Sequence, residues 1–146
     1  MSDWLRRDAA PLSEKAWQEI DRIAAAMAKQ TMVARKIADF DGPRGWDYAA
    51  KQLGTFQSAV PLRQTGSVRL SLPDVLLLAE IRRDFTISWS DIETFERAGP
   101  PLEGRAIEEA ARETALAEDR LVFHGASGIP GILTSHETPR LALSDW

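Results

Sequence analysis

Two prolines and a glycine bracket the stretch that most constrains this fold. Residues Pro100 to Gly125, PPLEGRAIEEAARETALAEDRLVFHG, read as one helix with both ends marked. Proline lacks the N–H that a first helical turn leaves unpaired, and glycine suits the left-handed residue just past a helix end. Within the stretch, Ile107, Ala110, Ala111, Thr114, Ala117, Leu121 and Val122 recur at helical spacing, while Glu108, Glu109, Arg112, Glu113, Asp119 and Arg120 fall largely on the other side. The alanines let a neighbouring sheet approach closely, so the expected role is a structural spine lying against a sheet.

The length, 146 residues at 44% hydrophobic, suffices for one core and one domain. With 18 Lys and Arg against 22 Asp and Glu the net charge is −4, which argues against nucleic acid or an anionic membrane as partner. The absence of cysteine excludes disulfides, thiolate catalysis and cysteine zinc sites, and is compatible with a reducing cytoplasm. The N-terminus MSDWLRRDAAP lacks the apolar core of a secretion signal, and the run Val75 to Ile81 is interrupted by Glu80 and too short to span a bilayer.

In chain order, residues 1–10 carry no sustained periodicity and read as an arm that must dock on something. Ser13 is a good N-cap, and Leu12 with Trp17 has the spacing of a hydrophobic staple. The helix so begun runs to about Gln30 with a stripe of Trp17, Ile20, Ile23, Ala24 and Met27. Val33 to Asp39 reads as a short strand, followed by a sharp loop at Asp41-Gly42-Pro43-Arg44-Gly45. Trp46 to Leu72 mixes strand-favouring residues with Gly54, Pro61 and Gly66 and has no clean apolar face, so it reads as an extended two-stranded arm that needs a partner surface or another copy of itself. Val75 to Ile87 alternates as one long strand. Ser90 and Glu93 fit a capping box that opens a short helix to Arg97, with Gly99 ending it. Gly125, Gly128 and Gly131 then read as turns.

No set of residues converges on catalysis. His124 and His136 lack carboxylates at ligand spacing. The segment His124-Gly125-Ala126-Ser127-Gly128 has Ile129 where a nucleophile elbow needs its second glycine. The same glycines follow a helix rather than a strand, and no Lys-Ser/Thr follows them, so they do not make a phosphate loop. Glu118 and Asp119 are adjacent on a helix; their side chains diverge by about 100°, which makes them a solvated or interface pair.

The residues add up to an α+β chain with an extended β-arm. Several of its stretches closely resemble encapsulins, the nanocompartment shell proteins related to tailed-phage capsids: Trp4 through Asp21, Gly42 through Ala50, Arg82 through Ile87, Phe95-Glu96-Arg97, and Glu118 through Gly125 with Gly131-Ile132-Leu133 beyond. The resemblance implies the phage major-capsid (HK97-like) fold. It implies an N-terminal arm, helix and first short strand over 1–43, an E-loop over 44–74, a P-domain strand, short helix and spine helix over 75–126, and the start of an A-domain over 127–146. Family members are much longer, so the resemblance also implies either a fragment or truncated product, or a sheet that something else completes.

What the resemblance implies about function is a cytoplasmic, self-assembling shell subunit rather than an enzyme. Its partners are other copies of itself in an icosahedral shell and a cargo, a ferritin-like iron-storage protein or a dye-decolorising peroxidase, held by a short targeting peptide. Met27, Thr31, Arg35, Ile37 and Asp39 match the family's peptide dock; read from the residues alone they are a helix-to-strand junction with an ion pair. Some family members bind a flavin; Arg82 matches a position near it, and Trp89 lies one residue before the family's stacking tryptophan, where this chain has Ser90. Older family labels of bacteriocin or protease are the enzyme-class alternative, for which no nucleophile, base and orienting group converge.

Overall fold

A computed structural model describes residues 7–45, 47–57, 60–61 and 69–135. Its elements run from a 3-10 turn (Arg7–Ala9) through α1 (Glu14–Thr31), α2 (Ala34–Ile37), β1 (Ala50–Phe56), β2 (Val60–Pro61), β3 (Arg69–Leu70) and β4 (Pro73–Leu77). They continue through α3 (Trp89–Glu96), α4 (Arg105–His124), β5 (Gly125–Ala126) and β6 (Ile129–Pro130). The chain is thus mixed helix and strand, and its strands pair only as antiparallel two-stranded sheets among the described residues. It divides into two compact units, one within residues 1–40 and 81–146, the other within 41–80.

The first unit is built on α1. Ser13 is extended and its hydroxyl accepts the Ala16 amide at 3.2 Å, which satisfies a donor that the first turn leaves open. Ala16, Ile20 and Ile23 come round to one side of α1 and meet Ile92 of α3, Leu102, and Ile107 of α4; Leu12 and Trp17 pack partly buried against this cluster, as the staple spacing predicts. The described end of the N-terminal arm meets the outer side of α1. Arg7 forks onto Asp21 at 2.9 and 2.8 Å and lies over the Trp17 ring at 4.9 Å.

The spine helix is present but starts later than Pro100. Pro101 biases the residue before it away from helical geometry, Leu102 is spent as a core plug at 6% exposure, and Gly104 is the N-cap. A side chain at Gly104 would press on Ile23, with Cδ1 3.0 Å from its Cβ. Among the described residues α4 lies mainly on α1 rather than on a sheet. Asp119, placed by periodicity on the polar side, is buried, whereas Ala117 is exposed. At the far end Gly125 has φ 72°, and the β5–β6 hairpin turns through Ser127 (φ 43°) and Gly128 (φ 86°). That return lets the Ile132 and Leu133 amides donate to the Val122 and Phe123 carbonyls at 2.9 Å each, so the last carbonyls of α4 are satisfied within the chain.

Three local expectations fail, the first two for a tertiary reason. Val33 to Asp39 is not a strand but carries the short α2, because a carboxylate on α4 caps it. The long strand over Val75–Ile87 stops at Leu77, where the ladder with β1 ends, and residues 78–88 carry no regular element. The short helix begins at Trp89 with Ser88 as N-cap, so Ser90 lies inside it and bonds the Ser88 hydroxyl at 2.7 Å instead of forming a capping box with Glu93. Past its end the left-handed residue is Ala98 (φ 64°) rather than Gly99, whose missing side chain makes room for the Thr94 carbonyl.

The second unit is a ribbon. β1 and β4 pair Ala50 with Leu77, Lys51 with Leu76 and Gln52 with Val75; the register then shifts before Phe56 meets Pro73. Gly54, at φ 81°, sits in that irregularity, and Thr55 bonds Asp74 across it at 2.8 Å. No described residue of this unit is buried, and Leu53, Phe56, Leu70, Leu72, Val75 and Leu77 are all exposed. This unit keeps β4 and the segment to Glu80 together with β1.

Candidate functional site

The corner where α1 hands over to α2 is set by a single carboxylate. Asp119 accepts the Val33 amide at 3.1 and 2.8 Å and the Ala34 amide at 2.8 Å. An anion at the start of a helix satisfies its open donors and complements its dipole, so two residues after α1 ends the chain is bent into α2 rather than extended. Val33 and Ile37, one helical turn apart, are left exposed at 48% and 68%, with Phe40 beyond them at 57%.

Next to that cap, Arg35 and Glu118 meet side-on, Nε to Oε1 at 2.6 Å and Nη2 to Oε2 at 3.0 Å. The guanidinium also lies over the Phe40 ring at 4.5 Å. The Glu118 hydrogen bonds, opposed by partial burial and helped by the Glu118 charge, hold Arg35 above its ordinary pKa, so it stays a cation.

Of the residues matched to a peptide dock, Met27 and Thr31 lie one turn apart at the end of α1, where the Thr31 hydroxyl bonds the Met27 carbonyl at 2.9 Å and lies 3.7 Å from its sulfur. Arg35 and Ile37 are on α2, and Asp39 follows it, exposed. The ion pair expected between Arg35 and Asp39 is not formed; Glu118 takes that place. Periodicity missed Glu118, Asp119, Phe40 and Val33 as parts of the corner. One signal for Asp119 was available: it continues the four-residue row of Ala111 and Ala115, and a carboxylate on a buried row needs donors.

Of the flavin candidates, Arg82 pairs with Asp84 at 3.5 Å, while Trp89 is half-exposed and donates its indole N–H to Glu93 at 3.0 Å. Elsewhere a groove of about 490 Å³ runs beside α1 and α4, lined by Ala24, Ala28, Met32, Phe85, Ala110 and Thr114. Among the described residues no cluster of His, Asp or Glu is arranged to hold a metal ion, and no helix is long and apolar enough to cross a membrane. His136 lies outside the described residues. The corner itself offers an apolar surface beside one oriented guanidinium, a combination suited to recognition.

A family model, Linocin_M18, described as an encapsulating protein for peroxidase, matches residues 1–145. The type 1 encapsulin shell protein of Rhodospirillum rubrum is 40% identical over 134 residues, covering 88% of this chain and 48% of that protein. That of Rhodococcus erythropolis is 36% identical over 143 residues, covering 95% and 53%. That of Mycobacterium tuberculosis is 33% identical over 143 residues, covering 97% and 53%. The chain spans about half the length of the curated relatives it matches.

Proposed function

We propose, from the fact that this chain belongs to the Linocin_M18 family of encapsulating proteins, that it is a shell subunit of a cytoplasmic encapsulin nanocompartment built on the phage-capsid fold. The observation that carries this reading is the ribbon of residues 41–80. Among its described residues it exposes eight large apolar side chains and buries none. An isolated two-stranded ribbon is marginal in water, and its outer edges are unpaired, so such an element is stable only against another surface. Neighbouring copies in a closed shell supply that surface to every subunit at once.

Sedimentation and electron microscopy of the natively purified protein test this, with Val75→Lys and Leu77→Lys as the probe. Multi-subunit particles are expected for the wild type, and their loss in the double variant. Particles of unchanged size and yield in that variant would overturn the role given to the ribbon.

Within that shell the α1–α2 corner is the dock for a cargo's targeting peptide, with Met27, Thr31 and Ile37 as apolar lining and Arg35 and Asp39 as polar contacts. Support comes from the exposed apolar residues beside an arginine already held in place. Replacing Arg35 and Asp39 with alanine is expected to reduce encapsulation of a ferritin-like or peroxidase cargo and leave shells intact. Equal cargo content would remove these residues from the dock. A flavin stacked on the half-exposed Trp89, with Arg82 as a cationic contact, belongs to the same reading. Flavin fluorescence that is not quenched by the assembled protein excludes it.

A further inference from the structure

We infer that Glu118 is the positioning residue for Arg35, and that it makes Arg35 a reader of a peptide's backbone carbonyls rather than of its acidic side chains. This rests on the docking reading above. The side-on pair engages Nε and Nη2. That leaves the end-on edge of the guanidinium, Nη1 with the second Nη2 hydrogen, without a hydrogen bond among the described residues. Phe40 supports the plane from one side at 4.5 Å. Asp119, adjacent to Glu118 on α4, holds the backbone of α2 through the Val33 and Ala34 amides. One turn of α4 therefore fixes both the base of the arginine's helix and the tip of its side chain. Arg35 reaches a ligand already oriented, and little freedom is lost on binding.

The same pair sets selectivity. Arginine next to a carboxylate at hydrogen-bond distance is formally neutral as a unit, and a second carboxylate arriving at the far edge meets both charges. Its Coulomb gain is small, and Asp39 just beyond α2 reduces it further. A carbonyl oxygen carries no net charge, so it keeps its hydrogen bonds without that opposition. An extended peptide laid over Val33 and Ile37 presents such carbonyls at regular intervals whatever its side chains are.

The probe is a fluorescein-labelled targeting peptide from a dye-decolorising peroxidase, in its natural form and with its acidic residues changed to amides, bound to the natively assembled protein across a sodium chloride series. For the wild type, similar affinity for both peptides and a shallow salt dependence are expected. Arg35→Ala should weaken both about tenfold, the size of a typical coupling between contacting groups. Glu118→Gln should weaken the amide form by a similar factor, steepen the salt dependence and favour the acidic form. Glu118→Asp keeps the charge but shortens the reach, so it should lose affinity with the salt dependence still shallow; it also decides the matter if Glu118→Gln does not fold. If the wild type binds neither peptide, or Arg35→Ala binds as tightly as wild type, the docking reading falls and this inference with it. If Arg35→Ala weakens binding while the Glu118 variants change neither affinity nor salt slope, the inference alone is overturned.

Discussion

The Oδ1 atom of buried Asp119 lies 2.8 Å from the amide nitrogen of Ala34, 85 residues away in sequence. Through this contact α4 dictates the backbone of a segment that local pattern would have extended. Removing the carboxylate leaves the Val33 and Ala34 amides without their acceptor in a part-buried to buried setting. Asp119→Ala is therefore expected to cost about 1–3 kcal/mol in a denaturant titration. Amide exchange should accelerate at Val33 and Ala34 first. Exchange there at the wild-type rate would show that α2 does not depend on the cap.

Trp17 tests the staple. Its ring packs partly buried against the core, while its indole N–H is buried with no hydrogen-bond partner among the described residues. Trp17→Ala should cost about 2–4 kcal/mol through lost apolar contact. Trp17→Phe keeps most of that contact and deletes an unsatisfied donor, so it should cost much less. Thermal melts of the two variants should separate clearly. Equal losses would mean that the N–H has a partner that matters.

Acid should loosen the junction between α1 and α3. The Ser13 amide donates to Glu96 at 3.2 Å, and Lys15 reaches the Phe95 carbonyl at 3.2 Å from over the Phe95 ring. The Ser13 hydrogen bonds, then the Lys15 charge, hold the Glu96 carboxyl below its ordinary value of 4.5. A depressed folded pKa means the contribution is complete above the ordinary value and is lost as pH falls from there through the folded one. Protection of the Ser13 amide, measured relative to the intrinsic exchange rate at each pH, should fall across that window, and Glu96→Gln should abolish this change in protection. A variant that still tracks pH there would point to another group.

Gly125 leaves no room for a side chain. With φ 72° and ψ 176° it occupies a region essentially restricted to glycine, and a β-carbon there would press on the Ile129 carbonyl and come within 2.6 Å of the Gly131 nitrogen. Gly125→Ala should cost about 3 kcal/mol or more by calorimetry, since backbone strain and the clash add. Gly128→Ala, whose Cβ meets nothing within 4 Å, should cost only the strain of its φ of 86°. Equal melting temperatures for the two variants would refute this ordering.

The order of the helices and the nature of their inward faces were determined by local chemistry, because capping and periodicity act within a few residues. Ser13, the Trp17-Ile20-Ile23 stripe and Gly125 all specify their elements from neighbours in sequence. That the arm read over Trp46 to Leu72 closes no core of its own was likewise legible, and none of its described residues is buried. Contacts between distant residues decided the rest. Whether 33–39 extends or coils depended on Asp119; whether Arg35 pairs with Asp39 or Glu118 depended on which carboxylate the packing of α4 brought near. The end of β4 depended on where β1 stops pairing. Periodicity says which face a residue is on, whereas the partner waiting at that face is set by how α1 and α4 cross. The α1–α2 corner is made of such partners, so only the tertiary structure could assemble it.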